Sequence, residues 1–274
     1  MEGVSSAAMT FVLPAGSSHD PPGAAGAAAV GSEWCLRGAG ERDTRALNDA
    51  LDALGCQHDE TVLSEHVQFS AAALGRNLPE VLAIYADIVR RPRLEDASFE
   101  ACRALAQQDL AALEDEPARK CTVLLRERFY PSPLGRCSLG DERSLASLTA
   151  EKVRLHLRAG LAPRGAMLAV AGAFDWAEVS DLVERHFGDW SASGAPPPRT
   201  APPAGGVTHV AKDSAQVHIA LAHRTVPAGD ARYYAARMAE TVLSGGMSAR
   251  LFTEVREKRG LVYHVSCRYH SLKA

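Results

Sequence analysis

The sequence predicts a protein of mixed helices and strands, of the α+β class, in which one order of elements occurs twice. Short segments such as 8–13 are apolar or alternate between apolar and polar residues, as strands do, whereas longer segments such as 97–113 repeat apolar residues at helical spacing. Clusters of Pro and Gly separate these segments. The order strand, helix, glycines, helix, strand is predicted at 8–74 and again at 217–267.

Glycine, proline and capping residues set the bounds of the predicted elements in the first part of the chain. Gly38 and Gly55 end two helices, and Pro92 and Pro117 separate the later ones, because proline has no N–H to donate. Asp175, followed three residues later by Glu178, has the pattern of a helix N-cap. The predicted elements are a strand at 8–13, helices at 24–37 and 44–54, a strand at 61–74, helices at 78–89, 97–113 and 119–129, a helix beginning near Thr149, a short buried strand at 167–172, and a helix ending at Phe187.

A linker divides the chain into two domains. Residues 193–206, SGAPPPRTAPPAGG, consist mostly of Pro, Gly and Ala and predict a linker between domain one, 1–192, and a second domain, 207–274. The second domain repeats the pattern with a strand at 217–223, helices at 231–243 and 248–259, and a strand at 261–267. Since it is much shorter than domain one, we expect this second copy to be incomplete and the chain to be truncated.

Composition excludes several classes of function. The chain has 274 residues, 46% of them hydrophobic, and a net charge of −3, so we expect a globular protein without a nucleic-acid partner. No apolar run is long enough to span a bilayer and the N-terminus lacks the pattern of a signal peptide, which predicts a cytoplasmic protein, or a periplasmic one if the N-terminus is incomplete. The six cysteines form no C-x-x-C pair and are expected to be reduced, buried thiols.

The stretch from Ser244 to Ser266 carries the main functional signal. Gly245 and Gly246 break the preceding helix, and Ser248 is a candidate N-cap for the next one. Arg256 then lies near the end of this helix, and Tyr263 lies on the strand that follows. Taken alone, the pattern is also typical of an ordinary packing unit with a solvated, charged helix face.

This stretch, SGGMSARLFTEVREKRGLVYHVS, resembles the second-domain signature of the pitrilysin/insulinase metallopeptidase family, which includes the mitochondrial processing peptidases. Segments of the first domain follow the family's order: DPPGAAG, RGAG, ALNDALDALGCQ, LEDEP, SLGDERSLASLTAEKV and MLAVAG. The resemblance implies a two-layer sandwich of antiparallel sheet and helices, repeated twice, with the second copy incomplete here.

The metal-binding motif of that family is degenerate in this chain. Active members carry H-x-x-E-H on the first helix, where two histidines one turn apart bind zinc and the glutamate polarises water. The matching positions here begin at Ala29 and end with Ser32 and Glu33, so both histidines are missing. The third ligand of the family falls near Gln108 or Asp109. We therefore expect no metal on this chain and interpret Glu33 and Asp109 as solvated or capping residues.

The segment HDETVLSEH offers a second arrangement that resembles a metal site. His58 and His66 could share one face of an alternating strand, with Glu65 beside them, but their spacing of eight residues does not form H-x-x-E-H. Surface or hydrogen-bonded histidines are the preferred interpretation.

In the family an arginine and a tyrosine seven residues later bind the substrate backbone near the zinc, and Arg256 and Tyr263 have this spacing. The resemblance therefore implies a non-catalytic subunit that positions peptide for a zinc-bearing homologous partner, with the zinc cofactor in that partner. One alternative is a structural or assembly protein of the same fold without a peptidase role. Another is an active zinc metallopeptidase with unconventional ligands.

Overall fold

The computed structural model of the protein describes residues 3–191 and 205–272 and, between these ranges, residues 194, 198 and 200–203. It divides into two compact units, Met1–Ala220 and Leu221–Ala274. The predicted linker at 193–206 lies partly outside the described residues, so the domain bounds inferred from it stay a prediction.

The first unit contains most of the regular structure. Its strands are β1 Ser6–Leu13, β2 Gly38–Ala39, β3 Arg42–Asp43, β4 Gln57–Val62, β5 Val67–Leu74 and β6 Met167–Gly172. Its helices are α1 Ala27–Cys35, α2 Thr44–Ala53, α3 Leu78–Arg90, α4 Asp96–Ala112, α5 Pro117–Phe129, α6 Glu142–Ala146, α7 Ala150–Gly160 and α8 Trp176–Phe187. These helices confirm the helical segments predicted in this part of the chain, and α6 is an addition to them.

A four-stranded antiparallel sheet organises this unit, in the order β4-β5-β1-β6. Strand β1 pairs with β5 on one side and β6 on the other, so Phe11 lies opposite Phe69 and Leu168. Alternate residues of β1 and β5 are buried: Ala7, Met9, Phe11, Leu13, Val67, Phe69, Ala71 and Ala73. Helices pack on this buried face, which gives the two-layer α+β sandwich expected from the sequence.

Two strand predictions for domain one require correction. The segment 61–74 is not one strand, because the chain turns after Val62 and re-enters the sheet at Val67 as a hairpin of β4 and β5. The segment 167–172 forms β6 as predicted, but it is not buried: it is an edge strand, and Met167 is 63% exposed. Both errors concern strand neighbours, which local alternation does not encode.

Helix α1, which carries the positions Ala29, Ser32 and Glu33, is deeply buried. Trp34 is fully buried, and its Nε1–H donates to the carbonyl of Glu95 and to Ser98 Oγ at the start of α4. The Trp34 ring also packs on Phe99, at 5.0 Å between ring centroids. Helix α7 lies against α1 so closely that a Cβ on Gly31 would be 2.9 Å from Leu157. These contacts fix α1 in the core.

A buried carboxyl group holds the N-terminus of α1. The two oxygens of Asp20 accept the N–H groups of Gly26 and Ala28, each at 2.8 Å. The side chain is fully buried next to His156 of α7, whose Nδ1 lies 3.9 Å from Asp20 Oδ1. Burial raises the pKa of Asp20 to about 7 and lowers the pKa of His156, so both side chains are pushed toward their neutral forms.

Two predicted helix starts are confirmed by their capping bonds. The N–H of Glu178 donates to Asp175 Oδ1 at 2.9 Å, and the N–H of Lys152 donates to the Thr149 hydroxyl at 3.4 Å. The cysteines are also placed much as expected. All six are free thiols; Cys35, Cys56, Cys102 and Cys137 are buried, whereas Cys121 and Cys267 are partly exposed.

The second unit contains helix α9, Tyr233–Ser244, and a π-helical turn at Phe252–Glu257. The predicted helix at 231–243 is thus confirmed. The helix predicted at 248–259 is shorter than expected, and its turn is π-helical, which is wider than an α-helical turn. Ser248, the predicted N-cap, makes no capping bond within the described residues. The predicted strands at 217–223 and 261–267 are not formed, because neither segment pairs with another strand in the described part of the chain.

Little of the second unit is buried. Among its described residues only Ala249 is buried, at 7% exposure. Along α9 the side chains of Tyr234, Met238 and Val242 form an exposed stripe at a spacing of four residues. None of the helices in the described ranges is long and apolar enough to cross a membrane.

We expect the substitution Asp20→Ala to destabilise the first unit strongly. It would leave the buried N–H groups of Gly26 and Ala28 without their acceptor, which should lower the free energy of unfolding by about 2–4 kcal/mol. Urea denaturation followed by tryptophan fluorescence measures the loss. Asp43→Ala is the matched control, because Asp43 caps α2 at an exposed position and should cost about 1 kcal/mol. Equal losses in the two variants would contradict this role of Asp20.

Candidate functional site

The residues at the degenerate metal positions lie on α1. Ala29 is partly buried, and Ser32 is buried with its hydroxyl donating to the carbonyl of Ala29 at 3.0 Å. Glu33 is the one ionisable side chain of this set on α1, and its side chain is 21% exposed. These residues offer one carboxylate and no imidazole.

Glu33 is bound within a small network of side chains. One turn along the chain, the guanidinium of Arg37 forms an ion pair with it. The carboxyl group of Glu60 on β4 lies beside that of Glu33, and the Arg37 guanidinium lies beside the thiol of Cys102 on α4. Burial and the adjacent Glu33 carboxyl group raise the pKa of Glu60 to about 7. Glu60 therefore loses its proton at a higher pH than an ordinary glutamate does.

The remaining metal-ligand candidates do not join this network. Gln108 and Asp109 are exposed on α4. Within the described ranges, no group of three or more His, Cys, Asp or Glu side chains is arranged to hold a metal ion. The residues present therefore do not fit the zinc site that the family resemblance implies.

The histidine pair in HDETVLSEH is also separated by the structure. His58 lies on β4, whereas His66 lies in the turn that precedes β5, so they do not share a face of one strand as considered from the sequence. His58 is exposed on the edge strand, and burial lowers the pKa of His66. The hairpin, which alternation alone did not reveal, is the reason for the difference.

Arg256 and Tyr263 lie together in the second unit. The guanidinium carbon of Arg256 is 5.4 Å from the centroid of the Tyr263 ring and 4.7 Å from that of Phe252. Tyr263 is 86% exposed, and the Arg256 side chain is 39% exposed. Both polar groups are therefore accessible to a ligand, in an arrangement that offers a fork of N–H donors and a phenolic hydroxyl.

The sequence also aligns with known families. Residues 2–142 match the model "Insulinase (Peptidase family M16)", and residues 147–274 match "Peptidase M16 inactive domain". The chain belongs to the M16, or insulinase, peptidase family.

Relatives and solved structures agree with this membership. An "Uncharacterized zinc protease" of Mycobacterium bovis is 30% identical over 270 residues, which cover 96% of this chain and 61% of that protein. The chain thus spans about three fifths of the length of such curated relatives. The "peptidase M16 inactive domain" of Pseudomonas fluorescens has a TM-score of 0.86 at 20% identity, over 99% of this chain and 67% of that one. A protease from Helicobacter pylori has a TM-score of 0.77 at 15% identity, over 93% of this chain and 64% of that one. These two structures show the M16 fold.

Three residues at these sites were missed by reasoning from the sequence. Arg37 and Phe252 had a usable signal, because each lies four residues from a candidate, Glu33 and Arg256 respectively. Glu60 had none, since its approach to Glu33 depends on how β4 packs against α1.

We expect Glu60 to make the stability of the first unit depend on pH. Between the ordinary glutamate pKa of 4.5 and about 7, the folded protein holds a proton on Glu60 that the unfolded chain has lost. The free energy of unfolding should therefore fall as the pH rises through this interval. Glu60→Gln cannot titrate, so its fall should be smaller, by about 1–2 kcal/mol after allowance for partial solvent exposure.

Urea denaturation at several pH values tests this effect. Glu151→Gln, an exposed substitution on α7, is the control and should retain the wild-type slope. The same slope in Glu60→Gln and the wild type would rule out a protonated Glu60 in the folded state.

Proposed function

We propose that this chain is a non-catalytic M16 subunit that binds and positions peptide for a zinc-bearing homologous subunit. The observation that carries the proposal is the exposed pair of Arg256 and Tyr263, packed together in the second unit. It coexists with an α1 helix whose metal positions hold no histidine. On this proposal the chain has no peptidase activity alone, and the partner supplies the zinc.

Electrostatics at α1 support the absence of a zinc-dependent step on this chain. A zinc ligand must be free to bind, whereas the Glu33 carboxylate is already paired with Arg37. The positive guanidinium lies where it would repel a divalent cation at Glu33. The ion pair with Arg37 thus offsets the negative charge of the Glu33 carboxylate.

The chemistry of the Arg256 and Tyr263 side chains fits peptide positioning. A guanidinium donates several N–H groups in a rigid plane, and a phenol donates one O–H, so together they can bind a peptide carbonyl or the oxyanion that forms from it. Such donors lower the energy of a transition state formed at a zinc ion of another subunit. The second unit would then act in trans.

A second candidate is an assembly protein of the same fold with no peptidase role. It is favoured by the apolar stripe of Tyr234, Met238 and Val242, which a stable complex would cover. Under this alternative, Arg256 and Tyr263 would make no difference to turnover. The two candidates therefore differ in the turnover expected after substitution of Arg256 or Tyr263.

We expect the chain to copurify with a zinc-bearing M16 homologue from the same genome and to raise its peptide cleavage. In that complex, Arg256→Ala should lower kcat by on the order of 10²-fold, because it removes charged donors to the reacting carbonyl. Tyr263→Phe should lower kcat about tenfold through the loss of one neutral hydrogen bond. Cleavage of a fluorogenic peptide measures both effects.

Two substitutions in the same unit serve as controls. Arg259 donates to Glu254 at 3.1 Å, and Tyr234 is exposed on α9, so Arg259→Ala and Tyr234→Phe should leave kcat near the wild-type value. Wild-type turnover in Arg256→Ala would exclude the positioning role and favour the assembly protein.

We further expect the chain purified alone to contain far less than one equivalent of zinc by atomic absorption. The reason is that Glu33 is already paired with Arg37 on a helix without histidine ligands. Stoichiometric zinc that is lost in Glu33→Gln would instead support the alternative of an active metallopeptidase with unconventional ligands.

A further inference from the structure

Two aromatic rings flank the guanidinium of Arg256. The ring centroid of Phe252 lies 4.7 Å from the guanidinium carbon and that of Tyr263 lies 5.4 Å from it, both within the range of a cation–π interaction. We call Phe252, Arg256 and Tyr263 the aromatic clamp. Phe252 is the member of the clamp that offers no hydrogen-bonding group.

Local backbone structure brings these three side chains together. Phe252 and Arg256 are four residues apart on the π-helical turn, where the N–H of Lys258 bonds to the carbonyl of Thr253. Gly260 then adopts a φ of 59°, which favours glycine, and its N–H donates to the carbonyl of Arg256 at 3.0 Å. The chain reverses at this glycine, so Tyr263 returns to the side chain of Arg256.

The two ring contacts leave hydrogen-bond donors of Arg256 available. An aromatic ring attracts the guanidinium through its charge but supplies no oxygen or nitrogen acceptor, so the contact does not replace a hydrogen bond to a carbonyl. Within the described residues, the charged partner of Arg256 is Glu257, at 3.9 Å from Nε, which is longer than a hydrogen bond. By contrast, Arg232 of the same unit donates to both oxygens of Asp230, at 3.0 and 2.9 Å.

We infer that Phe252 is a positioning residue that holds the Arg256 guanidinium over its ring, while the N–H groups of Arg256 remain available to a peptide carbonyl. This inference rests on the proposed function and assigns to a third residue the task of orienting the arginine. An arginine side chain loses considerable rotamer freedom when it binds a ligand. A guanidinium already held over the Phe252 ring has lost part of that freedom before the peptide arrives.

The contact itself can be tested without a peptide. In protein labelled with ¹⁵N-arginine, the Nε–H resonance of Arg256, identified by its loss in Arg256→Lys, should be shifted upfield by the ring current of Phe252. Phe252→Leu keeps an apolar side chain but has no ring, so it should abolish this component of the shift. Phe252→Tyr restores the ring and should restore the shift. An unshifted wild-type resonance, or the same shift in Phe252→Leu, would overturn the inference.

The positioning role is tested by peptide affinity. The probe is fluorescein-labelled oxidised insulin B chain, and anisotropy is measured on the complex with a zinc-bearing homologue whose motif glutamate is replaced by Gln to prevent cleavage. Phe252→Leu should weaken binding about two- to fivefold, as expected for an exposed cation–π contact, and Phe252→Tyr should bind like the wild type.

These measurements separate the inference from the function on which it rests. Equal affinities of Phe252→Leu and the wild type would overturn the positioning role even if the peptide binds. A wild-type complex that binds no peptide would overturn the proposed function, whereas a ring-current shift lost in Phe252→Leu would still support the contact between Phe252 and Arg256.

Discussion

Strand pairing is the constraint on which the rest of this structure depends. A strand is stable only when its backbone N–H and C=O groups find partners, and β1 finds them on both sides, in β5 and β6. The resulting sheet gives the helices of the first unit a continuous apolar face to cover. The segments 217–223 and 261–267 have strand-like sequences but no paired neighbour in the described residues, and the unit that contains most of them buries almost nothing.

Charges at α1 are compensated by neighbouring residues. The guanidinium of Arg37 lies beside Glu33, and the raised pKa of Glu60 favours the neutral form of a second carboxyl group next to it. The Glu33 carboxylate thus has a charged partner within the protein itself. Helix α1 packs against α4 and α7, and its N-terminus is held by Asp20.

The two units therefore differ in how well they are packed and in the polar groups that they offer to a ligand. The first has a well-packed core and a metal position without suitable ligands. The second has little core, yet it presents Arg256 with its donors available and Tyr263 with its hydroxyl accessible. Accessible donors on a weakly buried unit are what the proposed role in a complex requires.

The sequence by itself determined the helices, because their apolar spacing and caps are local: α2, α8 and α9 lie close to the bounds expected from Gly55, Asp175 and Gly245. It also determined that α1 carries no histidine and that Arg256 and Tyr263 are seven residues apart.

The tertiary structure alone decided which strands form and which charges meet. Alternation predicts a strand but not its neighbour, so the hairpin of β4 and β5 and the unpaired 261–267 could not be foreseen. The raised pKa of Glu60 has the same origin, since it is caused by burial and by Glu33, a residue brought near Glu60 only when β4 packs against α1. Contacts between residues distant in the chain are set by packing, and single-sequence periodicity does not record them.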